Sequence, residues 1–149
     1  MDDPAAEASL RRAISTAYYA LFHFLVECAT ERVSERPELG ERLRRCFDHG
    51  DMKLASKAFS ELADKARALV AEPIPDEIRL AAKIFVELQE ERHLADYDFA
   101  WKPHNLPLRA IVCVSMAQRA FDAWDRVERH PAAEAYLIAL LAWGKIGKR

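Results

Sequence analysis

Ala81-Ala82-Lys83-Ile84-Phe85-Val86-Glu87-Leu88-Gln89-Glu90-Glu91-Arg92-His93-Leu94-Ala95-Asp96-Tyr97 is the stretch whose periodicity decides the fold. Ala81, Phe85 and Leu88 recur at spacings of three and four, the mark of a helix with one apolar face. The next position on that face is Arg92, so a guanidinium stands where a Leu is expected. Arg stays charged at every ordinary pH. Burying it calls for a carboxylate, a phenol, backbone carbonyls or an anionic ligand. Arg92 shares its helix face with Leu88 and Asp96 rather than with Glu90 or Glu91, which makes Asp96 its expected partner.

Working outward, the same helical period recurs along the whole chain. Leu10, Ile14, Ala17, Leu21, Phe24, Leu25 and Cys28 predict a first helix from about residue 6 to 34. Arg12, Thr16, Tyr19 and His23 fall on its opposite face. That face is either half-exposed or covered by a second subunit. A short helix is predicted from Glu38 to Phe47, closed by Gly50 in a left-handed cap position. Asp51 then reads as the N-cap of a helix from Met52 to Val70, with Leu54, Ala58, Phe59, Leu62, Ala66 and Leu69 inward.

Pro73 and Pro75 break the chain, and Asp76 is placed to cap the helix over 77–95 that carries Arg92. Residues 98–106 read as a loop. Pro107 opens a helix to about Glu128 with Ile111, Val114, Ala117, Phe121 and Trp124 inward, and Pro131 opens a last one to about Trp143. The basic tail from Lys145 to Arg149 complements the dipole of that last helix. With only four glycines and no linker in 149 residues, the prediction is a single all-α domain over 1–149. The expected architecture is an up-and-down four-helix bundle with short accessory helices, other all-α packings staying open.

The formal net charge of -2 supplies no global attraction for nucleic acid or anionic lipid, so any such contact has to be a local patch. Cys28, Cys46 and Cys113 are odd in number and widely spaced, which suits reduced core thiols rather than disulfides or a zinc site. The acidic start and the lack of a long apolar run point to a cytoplasmic protein that does not span a membrane. No Gly-rich phosphate loop, His-Glu-x-x-His, Cys-x-x-Cys or paired Glu-x-x-His motif occurs, so no metal site and no cofactor are expected. What remains is two polar groupings: Arg12, Tyr19 and His23, and Arg92, His93, Asp96 and Tyr97. Together they would suit a phosphate.

The run Leu10-Arg11-Arg12-Ala13-Ile14-Ser15-Thr16-Ala17-Tyr18-Tyr19-Ala20-Leu21-Phe22-His23 resembles the first helix of bacterial HEPN-type proteins, and Arg92-His93-Leu94-Ala95-Asp96-Tyr97 resembles their Arg-containing motif. The resemblance implies a helical bundle that forms a homodimer with the motif helices facing each other. In catalytic members an Arg and a His, four residues intervening, make a metal-independent ribonuclease site. The His moves protons and the Arg stabilises the phosphorane charge.

Here Tyr97 stands where that His would be, and Phe99 where many members carry a Tyr. A phenol that titrates near 10 is a poor general base at neutral pH. His93 points about 100° away from Arg92 on the helix and cannot take the vacant role. Arg44 and His49 repeat the spacing, but in the short second helix, and read as coincidence; His23 is the alternative imidazole.

The resemblance with this substitution points to a nucleotide- or RNA-associated binding module of a toxin–antitoxin or defence system, with binding favoured over cleavage and an antitoxin as a candidate partner. A divergent ribonuclease with a composite site at the dimer interface and a purely structural dimerisation or interaction domain stay open. The candidate residues are Arg92, Asp96, Tyr97, His93, His23, Tyr19 and Arg12. No catalytic residue is assigned.

Overall fold

The apolar stripe that begins at Leu10 folds as α1 (Pro4–Val33), the longest element of the computed structural model. The structure describes residues 3–98, 100–101 and 103–146; Phe99 and the last three residues of the basic tail lie outside them. Pro4 sits in the first turn of α1, where its missing N–H is not needed, and the Asp3 carboxylate accepts from the Ala5 N–H at 3.0 Å. α1 is buried more broadly than its stripe predicts. Tyr18, Phe22, Val26 and Thr30 join Ile14, Leu21 and Leu25 inside, while Arg12, Thr16 and His23 face outward.

After Pro37 comes α2 (Pro37–Arg44), ending three residues short of the predicted Phe47. Gly40 is buried on it at a close approach to α1, where a Cβ would meet Thr30 Cγ2 at 3.2 Å. The predicted helix over 52–70 is corrected at both ends. α3 runs from His49 to Ser60, capped by Asp48, whose carboxylate accepts from the Asp51 N–H at 3.0 Å. Gly50 and Asp51 therefore lie inside its first turn, as neither the cap of α2 nor the cap of α3.

The chain then leaves the helix at Leu62, a non-glycine residue with φ of 54°. Ala63 N–H reaches back to Ala58 O at 2.9 Å and Leu62 N–H to Phe59 O at 3.4 Å, the paired bonds of a Schellman turn. The left-handed position costs a side-chain-bearing residue roughly 1–2 kcal/mol, offset here by the two bonds and by packing of Leu62 against the core. A single turn, α4 (Asp64–Arg67), follows.

α5 (Asp76–Tyr97) starts behind Pro75, with Asp76 as its first residue rather than its cap. α6 (Leu106–Val127) and α7 (Pro131–Ala142) complete seven helices, with no strand, among the described residues. α1, α5 and α6 pack pairwise; α3 packs on α5 and α7, and α7 reaches back to α1. Their shared core includes the fully buried Trp124, Tyr136, Tyr18, Phe59 and Phe85, and a hydroxyl pair inside it, Ser56 with Tyr136, is satisfied at 2.7 Å. None of the described helices is long and apolar enough to cross a membrane.

Two expectations about facing are overturned. Leu54 is exposed on α3. On α6 the inward residues are Leu106, Ala110, Cys113, Ala117, Ala120 and Trp124, while Ile111 and Val114 are 66% and 53% exposed. Small side chains let the α6 backbone approach α1 and α5 closely, and that geometry outweighs the larger transfer energy of an Ile or Val. Of the three thiols, Cys113 is buried, Cys28 is half-buried and Cys46 is exposed, so Cys46 is not a core residue. Burial pushes the Cys28 and Cys113 thiols up to about 11, keeping them protonated and inert at neutral pH.

Candidate functional site

Arg92 lies in the last turns of α5, on the face that meets α1, and only 7% of it is exposed. Its guanidinium carbon stands 5.1 Å from the centre of the Tyr18 ring and 5.5 Å from those of Tyr19 and Tyr97. One Nη donates to the Tyr97 hydroxyl at 3.3 Å and lies 3.8 Å from Asp96 Oδ2. Asp96 also accepts a hydrogen bond from the Ser15 hydroxyl of α1, which orients it. Glu90 and Glu91 turn elsewhere, to Lys53 and Arg109 respectively.

Magnitudes show what this arrangement leaves undone. A desolvated cation over an aromatic face gains about 2 kcal/mol. Taking a charge out of water costs several kcal/mol, recovered only with close, well-aligned partners. The Asp96 contact is long, and Arg92 Nε is buried with no hydrogen-bond partner among the described atoms. An unsatisfied buried N–H of this kind costs about 1–3 kcal/mol. Arg92 thus retains donor capacity that the protein itself does not use.

The Tyr18 phenol that Arg92 overlies is bonded in turn to an imidazole. His49, the first residue of α3, places Nδ1 2.6 Å from the Tyr18 hydroxyl and stacks its ring on Phe22 with centroids 4.2 Å apart. Its backbone carbonyl accepts from the Gln89 amide of α5 at 3.2 Å, locking the start of α3 to the Arg92 helix. Burial, and after it the positive charge of Arg92, hold the His49 pKa below the ordinary imidazole range; Asp48 acts in the opposite sense and His23 adds to the depression. Burial raises the Tyr18 phenol well above its ordinary value, only partly offset by Arg92. At neutral pH the pair is therefore a neutral phenol and a neutral imidazole sharing one short hydrogen bond.

Arg11 supports the same region from α1. Its guanidinium donates to the carbonyls of Ala95 at 3.1 Å, of Asp98 at 3.4 Å and of Trp101, while Glu7 holds it at 3.2 Å. One planar fork thereby satisfies the orphan carbonyls at the end of α5 and fixes the loop behind Tyr97.

The predicted residues separate into two groups. Arg92, Asp96, Tyr97 and Tyr19 come together; His93 is exposed and only its ring edges against Tyr97, 5.1 Å between centroids. His23 is exposed and stacks on Tyr19 at 5.9 Å, and no hydrogen bond, ion pair or ring contact joins His23 or Arg12 to Arg92 among the described residues. Tyr18, His49, Ser15 and Arg11 are the members that sequence reasoning missed. Tyr18 carried a signal, since a phenol on the core face beside Ile14 needs a buried partner. Arg44, the other half of the repeated spacing, turns away to pair with Glu27.

Beside the cluster, Lys53, Gln89, Glu90, Arg92, His93 and Leu94 line a surface depression between α3 and α5, with Lys53 and Glu90 paired at 3.5 Å. Comparison of the chain with family models, with curated proteins and with solved structures returns no match. The chemistry of the site is therefore argued from its geometry. It offers a cation with an unused N–H, an exchangeable Lys53–Glu90 ion pair at the rim, half-exposed aromatic faces at Tyr19 and Tyr97, and a neutral imidazole.

Proposed function

We propose that the Arg92 cluster binds the phosphate of a nucleotide or of RNA, and that the chain is a HEPN-like bundle of α1, α3, α5 and α6 acting as a homodimeric, cytoplasmic binding module. The observation that carries this reading is the unpartnered, buried Nε of Arg92, a residue that also lines a depression rimmed by the Lys53–Glu90 pair. A phosphate oxygen there would give Arg92 the close, charge-assisted partner that Asp96 at 3.8 Å does not. Tyr97, 60% exposed, lies over the guanidinium and offers a face on which a base can stack. A role in a toxin–antitoxin or defence system, with an antitoxin as partner, rests on the sequence resemblance alone.

Fluorescence anisotropy with a labelled single-stranded oligoribonucleotide tests the proposal. The wild-type chain should bind, and Arg92→Ala should weaken binding at least about ten-fold, the loss of one charge-assisted contact, with unchanged circular dichroism. Equal affinity in the variant would remove Arg92 from the mechanism.

A second reading, a metal-independent endoribonuclease, draws support from one observation: His49 supplies an imidazole bonded to Tyr18, the phenol that Arg92 also overlies, although the motif position holds Tyr97. In that chemistry His49, with Nδ1–H donated to Tyr18, would accept the 2′-hydroxyl proton on Nε2 as the 2′-oxygen bonds to phosphorus and the P–O5′ bond breaks, the proton then passing to the departing 5′-oxygen, while Arg92 stabilised the phosphorane. Chelator-insensitive cleavage to 2′,3′-cyclic phosphate ends, abolished in both Arg92→Ala and His49→Ala, would establish it; intact RNA after prolonged incubation would leave the binding reading alone.

A further inference from the structure

His49 and Arg92 stand against the same two phenols. The Arg92 guanidinium carbon lies 5.1 and 5.5 Å from the centres of the Tyr18 and Tyr19 rings, and the His49 ring lies 5.7 and 6.1 Å from them. The Tyr18 hydroxyl holds His49 Nδ1, and Gln89, which lines the depression beside Arg92, holds the His49 carbonyl. Lys53, at the rim of that depression, follows His49 by one turn of α3. The imidazole is half-buried, so solvent protons reach it. An ionisable ring is thus fixed at the edge of the proposed anion site.

The groups that act on this ring come from three sides. Burial opposes its protonation most, then the charge of Arg92 on α5; His23 of α1 adds in the same sense, and Asp48 in its own cap acts against them. Tyr18 and Tyr19 of α1 supply ring faces, and Glu90 of α5 is engaged by Lys53. Arg92 cannot lose its proton, but an anion bound to it cancels its field at His49. An occupied site therefore holds a proton on His49 more firmly than an empty one. Linkage requires the converse: the protonated chain binds the anion more tightly, by the same factor.

We propose that anion binding at Arg92 and protonation of His49 are coupled, so that the site holds a phosphodiester more tightly as the pH falls from about 7.5 to about 5. The inference rests on the reading of Arg92 as a phosphate site and adds its regulation. A phosphodiester keeps a single negative charge across this range, so the pH response belongs to the protein.

The probe is a rhodamine-labelled oligouridylate without terminal phosphates, whose bases and phosphodiesters do not titrate in the range. Anisotropy titrations of the full chain at constant ionic strength should give a dissociation constant about five-fold lower at the acid end, with circular dichroism checking the fold at both ends. NMR of the His49 ring in the wild-type chain reads the same coupling from the other side: its pKa should rise by about 0.7 pH unit on saturation with the unlabelled oligonucleotide, the same five-fold factor. His49→Gln should lose most of the acid gain. His23→Gln and His93→Gln, at exposed imidazoles that also gain charge, should keep it. A His49 pKa that stays fixed while the oligonucleotide binds overturns the coupling and leaves the Arg92 site standing, as does an acid gain that survives in His49→Gln. Absence of binding at both ends of the range overturns the Arg92 reading and the coupling together.

Discussion

The Tyr18 hydroxyl and His49 Nδ1, 31 residues apart in the chain, meet at 2.6 Å, on the phenol whose ring the Arg92 guanidinium overlies. This bond joins α1 to the first turn of α3, and Gln89 continues it to α5 through the His49 carbonyl. Tyr18→Phe keeps the ring and its contact with Arg92 but leaves the imidazole without its phenol partner. The expected loss is about 1–2 kcal/mol in urea denaturation. A neutral result would mean that the hydroxyl contributes no more than water would.

His49 also fixes a pH window. Its pKa is held below the ordinary imidazole range, so the folded chain binds fewer protons there than the unfolded chain does. Stability therefore rises with pH across the window: the contribution is whole above the ordinary imidazole pKa and is lost as pH falls through the depressed value. Denaturation midpoints measured from about pH 7.5 down to about pH 5 should fall, and His49→Gln should flatten that slope. Arg92→Ala should move the His49 titration upward in NMR, since it removes the second largest cause of the depression.

Asp96 separates stability from binding. Asp96→Asn keeps a group able to bond Ser15 but removes the carboxylate that faces Arg92. A buried cation left without its counter-charge should cost about 1–3 kcal/mol, below the figure for a fully buried pair because Asp96 is partly solvated. Phosphate affinity should rise in the same variant, since the competing anion is gone. A fall in affinity measured by calorimetry would show that Asp96 belongs to the ligand's own contacts.

Arg11 should be intolerant of Lys. Its fork reaches the carbonyls of Ala95 and Asp98 at the end of α5 and of Trp101 in the loop beyond it, and an ammonium cannot span them. Arg11→Lys should cost about 2 kcal/mol and speed amide exchange at Tyr97 and Asp98, leaving the rest of α5 protected.

How much of this was legible follows from the chemistry of each signal. Arg92 was, because a cation on an apolar helical face stands out against its neighbours, and Asp96 followed from helix geometry alone. His49 was not: its path to the site depends on where α3 starts, and the N-cap is Asp48 rather than Asp51. The end of α3 was hidden too, since Leu62 and Ala66 continue the apolar period through a left-handed turn that sequence would assign to Gly. The facing of α6 failed for a different reason. Hydrophobic ranking places Ile111 and Val114 inside, while the packing selects alanines, and two apolar faces on one helix leave the period ambiguous.

The most direct measurement follows the Arg92 Nε–H resonance by NMR while inorganic phosphate, and then a mononucleotide, is titrated into the wild-type chain. That proton has no partner among the described atoms, so binding at the site should shift it downfield in a saturable manner and slow its exchange with water. A resonance that stays fixed while other signals report binding would place the anion elsewhere and contradict the account.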